Sequence, residues 1–152
     1  MNSIEVFARS FARGFLNGLR GSSDFEQYVV TGLDSLGVKP GLVTDRTVTL
    51  TTFFPGTRPF HLMFLSHWPR VDVLVLPALN YPTNAVPLAL TYALLRRNHE
   101  LPVGAWRLIG LDDECSVACG HMLDSRCSPT PYLTWTIEQL FRESERLMQI
   151  LE

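Results

Sequence analysis

Residues 58–79 read RPFHLMFLSHWPRVDVLVLPAL, and their periodicity decides the fold. Phe60, Leu62 and Phe64 alternate with His61, Met63 and Leu65, so residues 58–68 spell a strand with an apolar side chain on nearly every step of both faces. Pro69-Arg70 turns the chain. Val71 to Leu79 then make a second strand whose two faces are both apolar towards its end. Upstream, RTVTLTTFF (46–54) is rich in β-branched and aromatic residues, and Pro55-Gly56 separates it from the quoted stretch. Links this short join neighbouring antiparallel strands, so residues 46–79 are expected to form a three-stranded meander.

On either side the period changes from 2 to 3.6. Residues 4–20 carry Ile4, Phe7, Phe11, Phe15 and Leu19 on one stripe, with Arg9, Arg13 and Arg20 off it. Gly21-Ser22-Ser23 breaks this helix. Ser23, with Glu26 three residues later, caps a second one that runs through Phe25, Tyr28, Val29, Leu33 and Leu36 and stops at Gly37. A third helix is expected over 83–98, capped by Thr83 or Asn84 and tolerating Pro87 in its first turn. Leu88, Tyr92 and Leu95 form its main stripe, widened by Ala89, Leu90, Ala93 and Leu94. LPVGAWRLIG (101–110) and CSVACGHML (115–123) read as a strand pair around the turn LDDE. Residues 131–151 close the chain as a helix through Leu133, Ile137, Leu140, Phe141, Ser144, Leu147 and Leu151. The order is α-α-β-β-β-α-β-β-α. It predicts an α+β fold: a bent antiparallel sheet of about five strands with helices on one face, preceded by two N-terminal helices. Residues 1–22 form an amphipathic extension, and 23–152 a single domain.

The totals fit one domain with a full core: 152 residues, 46% hydrophobic and 18% charged. So few charges leave more apolar surface to hide, which points to a second chain. A net charge of −2 and no basic stripe argue against a nucleic-acid partner. Of the 13 basic residues only Lys39 is a lysine, a bias that carries no functional weight. The start does not read as a secretory leader, no segment has the apolar length of a membrane span, and three cysteines suit free thiols in a reducing cytoplasm.

The stretch DDECSVACGH (112–121), followed by Cys127, gathers zinc-type ligands. Cys115, Cys119 and His121 fall on one face of the expected strand. Cys115 and Cys119 stand four residues apart, about 13 Å in an extended chain, too far for one ion. A bulge at Gly120 could bring Cys119, His121 and Cys127 together. Packing of small buried thiols is the preferred reading, with no metal and no cofactor. Asp112, Asp113 and Glu114 read as a solvated turn, since they lack the spacing of a calcium loop. A Cys127–His121 nucleophile and base pair is conceivable, but no motif positions it. Glycine-rich phosphate loops, G-x-S-x-G and H-E-x-x-H are absent.

Four stretches carry a family resemblance: LDSLGV (33–38), LVLPALNYP (74–82), LTYALLRRNHELPVGAWRL (90–108) and the hairpin DDECSVACG. Its most specific part is a helix that ends in R-x-N-x-x-L-P-V-G and enters a strand. Over about residues 24–151 the chain resembles class I type III secretion chaperones and the related YbjN-like bacterial proteins. The resemblance implies a helix, three antiparallel strands, a helix, a two-stranded hairpin and a closing helix. It also implies a non-catalytic, homodimeric protein-binding module that holds an extended partner polypeptide on apolar patches. The dimer seam is then expected on Leu88, Tyr92 and Leu95. The partner surface is expected on His61, Met63 and Leu65, facing away from the helices, with Trp106 near them and Phe7, Phe11 and Phe15 contributing. The alternative is a peripheral membrane or assembly adaptor in which Phe7, Phe11 and Phe15, beside Arg9 and Arg13, meet an anionic surface. Glu5 lowers that charge, and packing is preferred. A third reading is a metal- or thiol-dependent enzyme at Cys115, Cys119, His121 and Cys127.

Overall fold

The computed structural model describes residues 23–43, 48–53, 58–111 and 113–152. The expected first helix, with Phe7, Phe11 and Phe15, lies outside the described residues. We number the strands β1 (Leu42–Val43), β2 (Val48–Phe53), β3 (Phe60–His67), β4 (Arg70–Leu76), β5 (Asn80–Pro82), β6 (Ala105–Leu111) and β7 (Glu114–Asp124), and the helices α1 (Ser23–Ser35), α2 (Leu88–Glu100) and α3 (Thr130–Leu151).

The meander forms as its alternation dictates. β2 pairs antiparallel with β3, and β3 with β4, with Met63 opposite Leu50 on one side and Leu74 on the other. β7 adds beside β4, placing His121 opposite Val73 and Cys119 opposite Val75. β6 and β7 make the expected hairpin. The described sheet is thus antiparallel throughout, with β1 and β5 as short additions to the five principal strands.

The third meander strand does not run on to Leu79. Pro77 has no amide hydrogen to continue the ladder, and Ala78 turns into the left-handed region at φ 63°. The chain then re-pairs with β7 as β5, Leu79 accepting a hydrogen bond from the Val117 amide. The third helix also starts later than its polar residues suggest. Thr83–Ala85 form a single 3-10 turn, and α2 begins at Leu88 after Pro87, with no side-chain cap. Proline there fixes an extended entry and pre-empts capping from Thr83 or Asn84.

The three helices among the described residues lie on one face of the sheet. Phe25, Val29 and Leu33 of α1, Leu90 and Leu94 of α2, and Leu133, Ile137, Leu140, Phe141 and Leu147 of α3 share one core with Phe60, Leu62, Phe64, Val71, Val73, Val75, Val117 and Cys119. Phe60 and Phe141 meet edge to face, with ring centroids 5.7 Å apart. Leu151, expected on the inner stripe of α3, is exposed instead. Gly37 ends α1 as read: its φ is 66°, its amide bonds to the Asp34 carbonyl and the Val38 amide to that of Leu33, a Schellman closure.

Candidate functional site

The outer side of α2 carries a stripe of exposed large apolar side chains. Leu88, Tyr92 and Leu95 are 67%, 65% and 60% exposed. Spacings of four and three put them on one stripe. Leu90 and Leu94, on the opposite side of the same helix, are buried. The stripe continues into a shallow trough of about 440 Å³ between α2 and the end of α3, lined by Tyr92, Ala93, Leu147 and Ile150 with Arg96, Arg97 and Glu100 along it. Of the expected site residues, Leu88, Tyr92 and Leu95 are thus together and open to solvent.

A polar strut holds this helix in place. The Arg97 guanidinium donates from Nε to Glu143 Oε1 at 2.9 Å and from Nη2 to Oε2 at 2.6 Å, a two-pronged pair. Its Nη1 donates to Glu100 Oε2 at 2.8 Å. These hydrogen bonds to carboxylates hold the guanidinium pKa above its ordinary value. The Trp106 indole Nε1–H donates to Glu143 Oε1 at 3.0 Å. One residue on, Asn98 clasps the Trp106 backbone, donating from Nδ2 to the carbonyl at 2.9 Å and accepting from the amide. Gly104 makes the turn between them at φ 81°, where a β-carbon would sit 2.6 Å from the Leu140 side chain. The segment R-x-N-x-x-L-P-V-G therefore has a physical basis here: Asn98 and Gly104 bring α2, β6 and α3 into register.

Sequence reading missed the Arg97–Glu143–Trp106 cluster, whose members stand 46 and 37 residues apart. A signal was present. Glu143 falls on the inner stripe of α3 beside Leu140, Ser144 and Leu147, and a carboxylate at such a position requires buried donors.

The expected partner surface needs correction. His61, Met63 and Leu65 do face away from the helices, but they are 4%, 0% and 4% exposed, so that face is covered rather than open. Trp106 is not with them. It pairs across from Cys119 on the helix side, inside the core.

The Cys/His stretch forms an unbroken strand. β7 keeps continuous register with β4 and β6 through Gly120, so no bulge gathers Cys119, His121 and Cys127. Gly120 serves a different end: a β-carbon there would meet Leu74 at 2.3 Å and the Arg107 guanidinium at 3.4 Å. Cys115 and Cys119 are buried, while Cys127 is exposed on the loop before α3, which removes the packing reading for that thiol. Burial, helped by the Glu143 carboxylate, pushes the Cys119 thiol up to about 12, so it stays neutral and a poor nucleophile. Among the described residues, no three His, Cys, Asp or Glu side chains come together as a metal shell. No helix among them is long and apolar enough to cross a membrane.

Comparison with known protein families, with curated proteins and with solved structures gives no match.

Proposed function

We propose that this chain is a non-catalytic protein-binding module that works as a homodimer, in the manner of the secretion chaperones its sequence resembles. The observation that carries the reading is the outer stripe of α2, Leu88, Tyr92 and Leu95, each at least 60% exposed. Single exposed leucines are ordinary, but a contiguous stripe running into an apolar trough marks an interaction surface. Its spacing suits a two-fold. An antiparallel pair of α2 helices sets Leu88 of one copy against Leu95 of the other and the two Tyr92 rings at the centre, a self-complementary contact of the kind dimers use. The strut to Glu143 supports this role, since a helix fixed on α3 and β6 presents its outer side without an ordering cost on association.

Native mass spectrometry across a dilution series tests the reading. The intact chain is expected to be dimeric. Tyr92→Asp or Leu95→Asp should weaken the dimer about 30-fold or more, corresponding to the roughly 2 kcal/mol of an interface hot spot, and leave the far-ultraviolet circular dichroism unchanged. A chain that is monomeric at every concentration would refute the proposal, and two variants that stay dimeric would move the seam off α2.

A further inference from the structure

Beside the strut lies a second hollow of about 400 Å³, between the segment that leaves α2 and one side of α3. This is the small end of the roughly 300–1,000 Å³ of ligand sites. Its walls differ. Leu101, Pro102 and Val103 supply one and carry no charge. Gln139, Arg142 and Arg146 supply another, spaced by three and four along α3 and so on one stripe. Arg97, Glu100 and Glu143 also line the hollow, but these charges answer one another, since Arg97 donates to both carboxylates. Arg142 and Arg146 are placed differently. Both are exposed, and among the described residues neither has a carboxylate partner. Glu138 and Glu145, their acidic neighbours on α3, do not line the hollow. Like charges one turn apart on a helix repel each other, and an anion bound to both removes that repulsion.

We propose that this hollow binds a phosphate monoester, its phosphoryl group held by Arg142 and Arg146 and its organic part lying on Leu101, Pro102 and Val103. The supply of acceptor oxygens selects the class. One planar guanidinium fork satisfies both oxygens of a carboxylate. Two forks need more, and a phosphate monoester offers its terminal oxygens in a tetrahedron that both can reach. Its charge, roughly −1.5 to −2 near neutral pH, matches the two unpaired cations. Gln139, half-buried on the same stripe, adds a neutral amide donor. The strut supports the site as well: with Arg97 bound to Glu143 and Glu100, neither carboxylate stands unopposed against the phosphate. Leu88, Tyr92 and Leu95 do not line the hollow, so this inference does not depend on the α2 seam.

Calorimetric titration of the full-length chain with phenyl phosphate at low salt tests it. Saturable one-to-one binding is expected, and Arg142→Ala/Arg146→Ala should raise the dissociation constant about tenfold or more. Both side chains are exposed, so the variant should keep the circular dichroism of the parent. Should it lose its fold, the single variants Arg142→Gln and Arg146→Gln replace it. Arg126→Ala removes an equal charge outside the hollow and should change the constant less than about twofold. Benzoate, which has the ring but a carboxylate, should bind several-fold more weakly than phenyl phosphate. Inorganic phosphate, which lacks the ring, should also bind several-fold more weakly. A parent chain without saturable binding overturns the proposal, as does a double variant that binds like the parent or an equal loss in Arg126→Ala. Benzoate that matches phenyl phosphate overturns the choice of phosphate. Inorganic phosphate that matches it overturns the role of the apolar wall and leaves an adventitious ion only.

Discussion

Helix α2 carries leucines on two sides, and the two sides have opposite fates. Leu90 and Leu94 are 5% and 4% exposed, beneath the helix, while Leu88 and Leu95 are more than half exposed on top of it. The residue types are the same, so hydrophobicity alone does not decide burial. What decides it is the strut. Arg97 bound to Glu143, and Asn98 bound to Trp106, fix the rotation of the helix about its axis. A rotation that buried Tyr92 and Leu95 would tear these pairs apart inside the protein, where an unpaired charge costs several kcal/mol. The outer stripe therefore remains available to another chain.

The comparison breaks most easily from the inner side. Leu94→Ala removes a buried side chain and leaves a cavity, at an expected cost of about 2–5 kcal/mol. Leu88→Ala, the same change on the outer side, should alter the stability of the isolated chain by less than about 0.5 kcal/mol. Urea unfolding of both variants in dilute solution measures the pair. Equal losses would mean that the two sides are not distinct.

The next largest effect comes from the strut. Glu143→Ala leaves Arg97 with Glu100 alone and the Trp106 indole without an acceptor. Removing one member of a buried pair should cost about 3 kcal/mol. The lower end of the usual range applies because Arg97 keeps one carboxylate partner. The same variant should free the rotation of α2, seen as faster hydrogen exchange over residues 88–100 than over α1. A loss of stability spread evenly over both helices would show that Glu143 is not specific to α2.

How much of this could be read in the sequence follows from the range of the interactions. The meander and the β6–β7 hairpin were legible, because Phe60 to Leu65 and Val71 to Val75 alternate and their turns are local. So was the close of α1, since Gly37 needs only its own φ and two neighbouring carbonyls. The outer stripe was legible as a helical period. The face of Trp106 was not, because a strand pattern gives alternation but not which side the helices take. The break of β4 was signalled by Pro77, yet its outcome, a left-handed Ala78 and a return to β7 as β5, depends on a pairing 36 residues away. The covered state of His61, Met63 and Leu65 was beyond any local rule, since one strand cannot say what lies over it.

The smallest predicted effect sharpens the contrast by repeating the chemistry of the strut at the surface. Arg126 binds Asp124 with the same two-pronged geometry that Arg97 uses on Glu143, donating from Nε at 2.9 Å and from Nη2 at 2.6 Å. Its guanidinium and backbone amide hold the Asp124 carboxyl down at about 2, from an ordinary 3.8. A depressed carboxyl pKa contributes stability that is present above the unfolded value and disappears as the pH falls through the folded one. Here that window runs from about 4 down to about 2. Arg126 is exposed and Asp124 half-buried at the surface, so solvent and salt screen the pair. Arg126→Ala should therefore leave the melting temperature unresolvably changed near neutral pH at physiological salt. At low salt any small gap between variant and parent should close as acid protonates Asp124. A gap as large as that of Glu143→Ala would mean that geometry, not burial, sets the worth of these pairs, and the argument that the strut fixes α2 would fail with it.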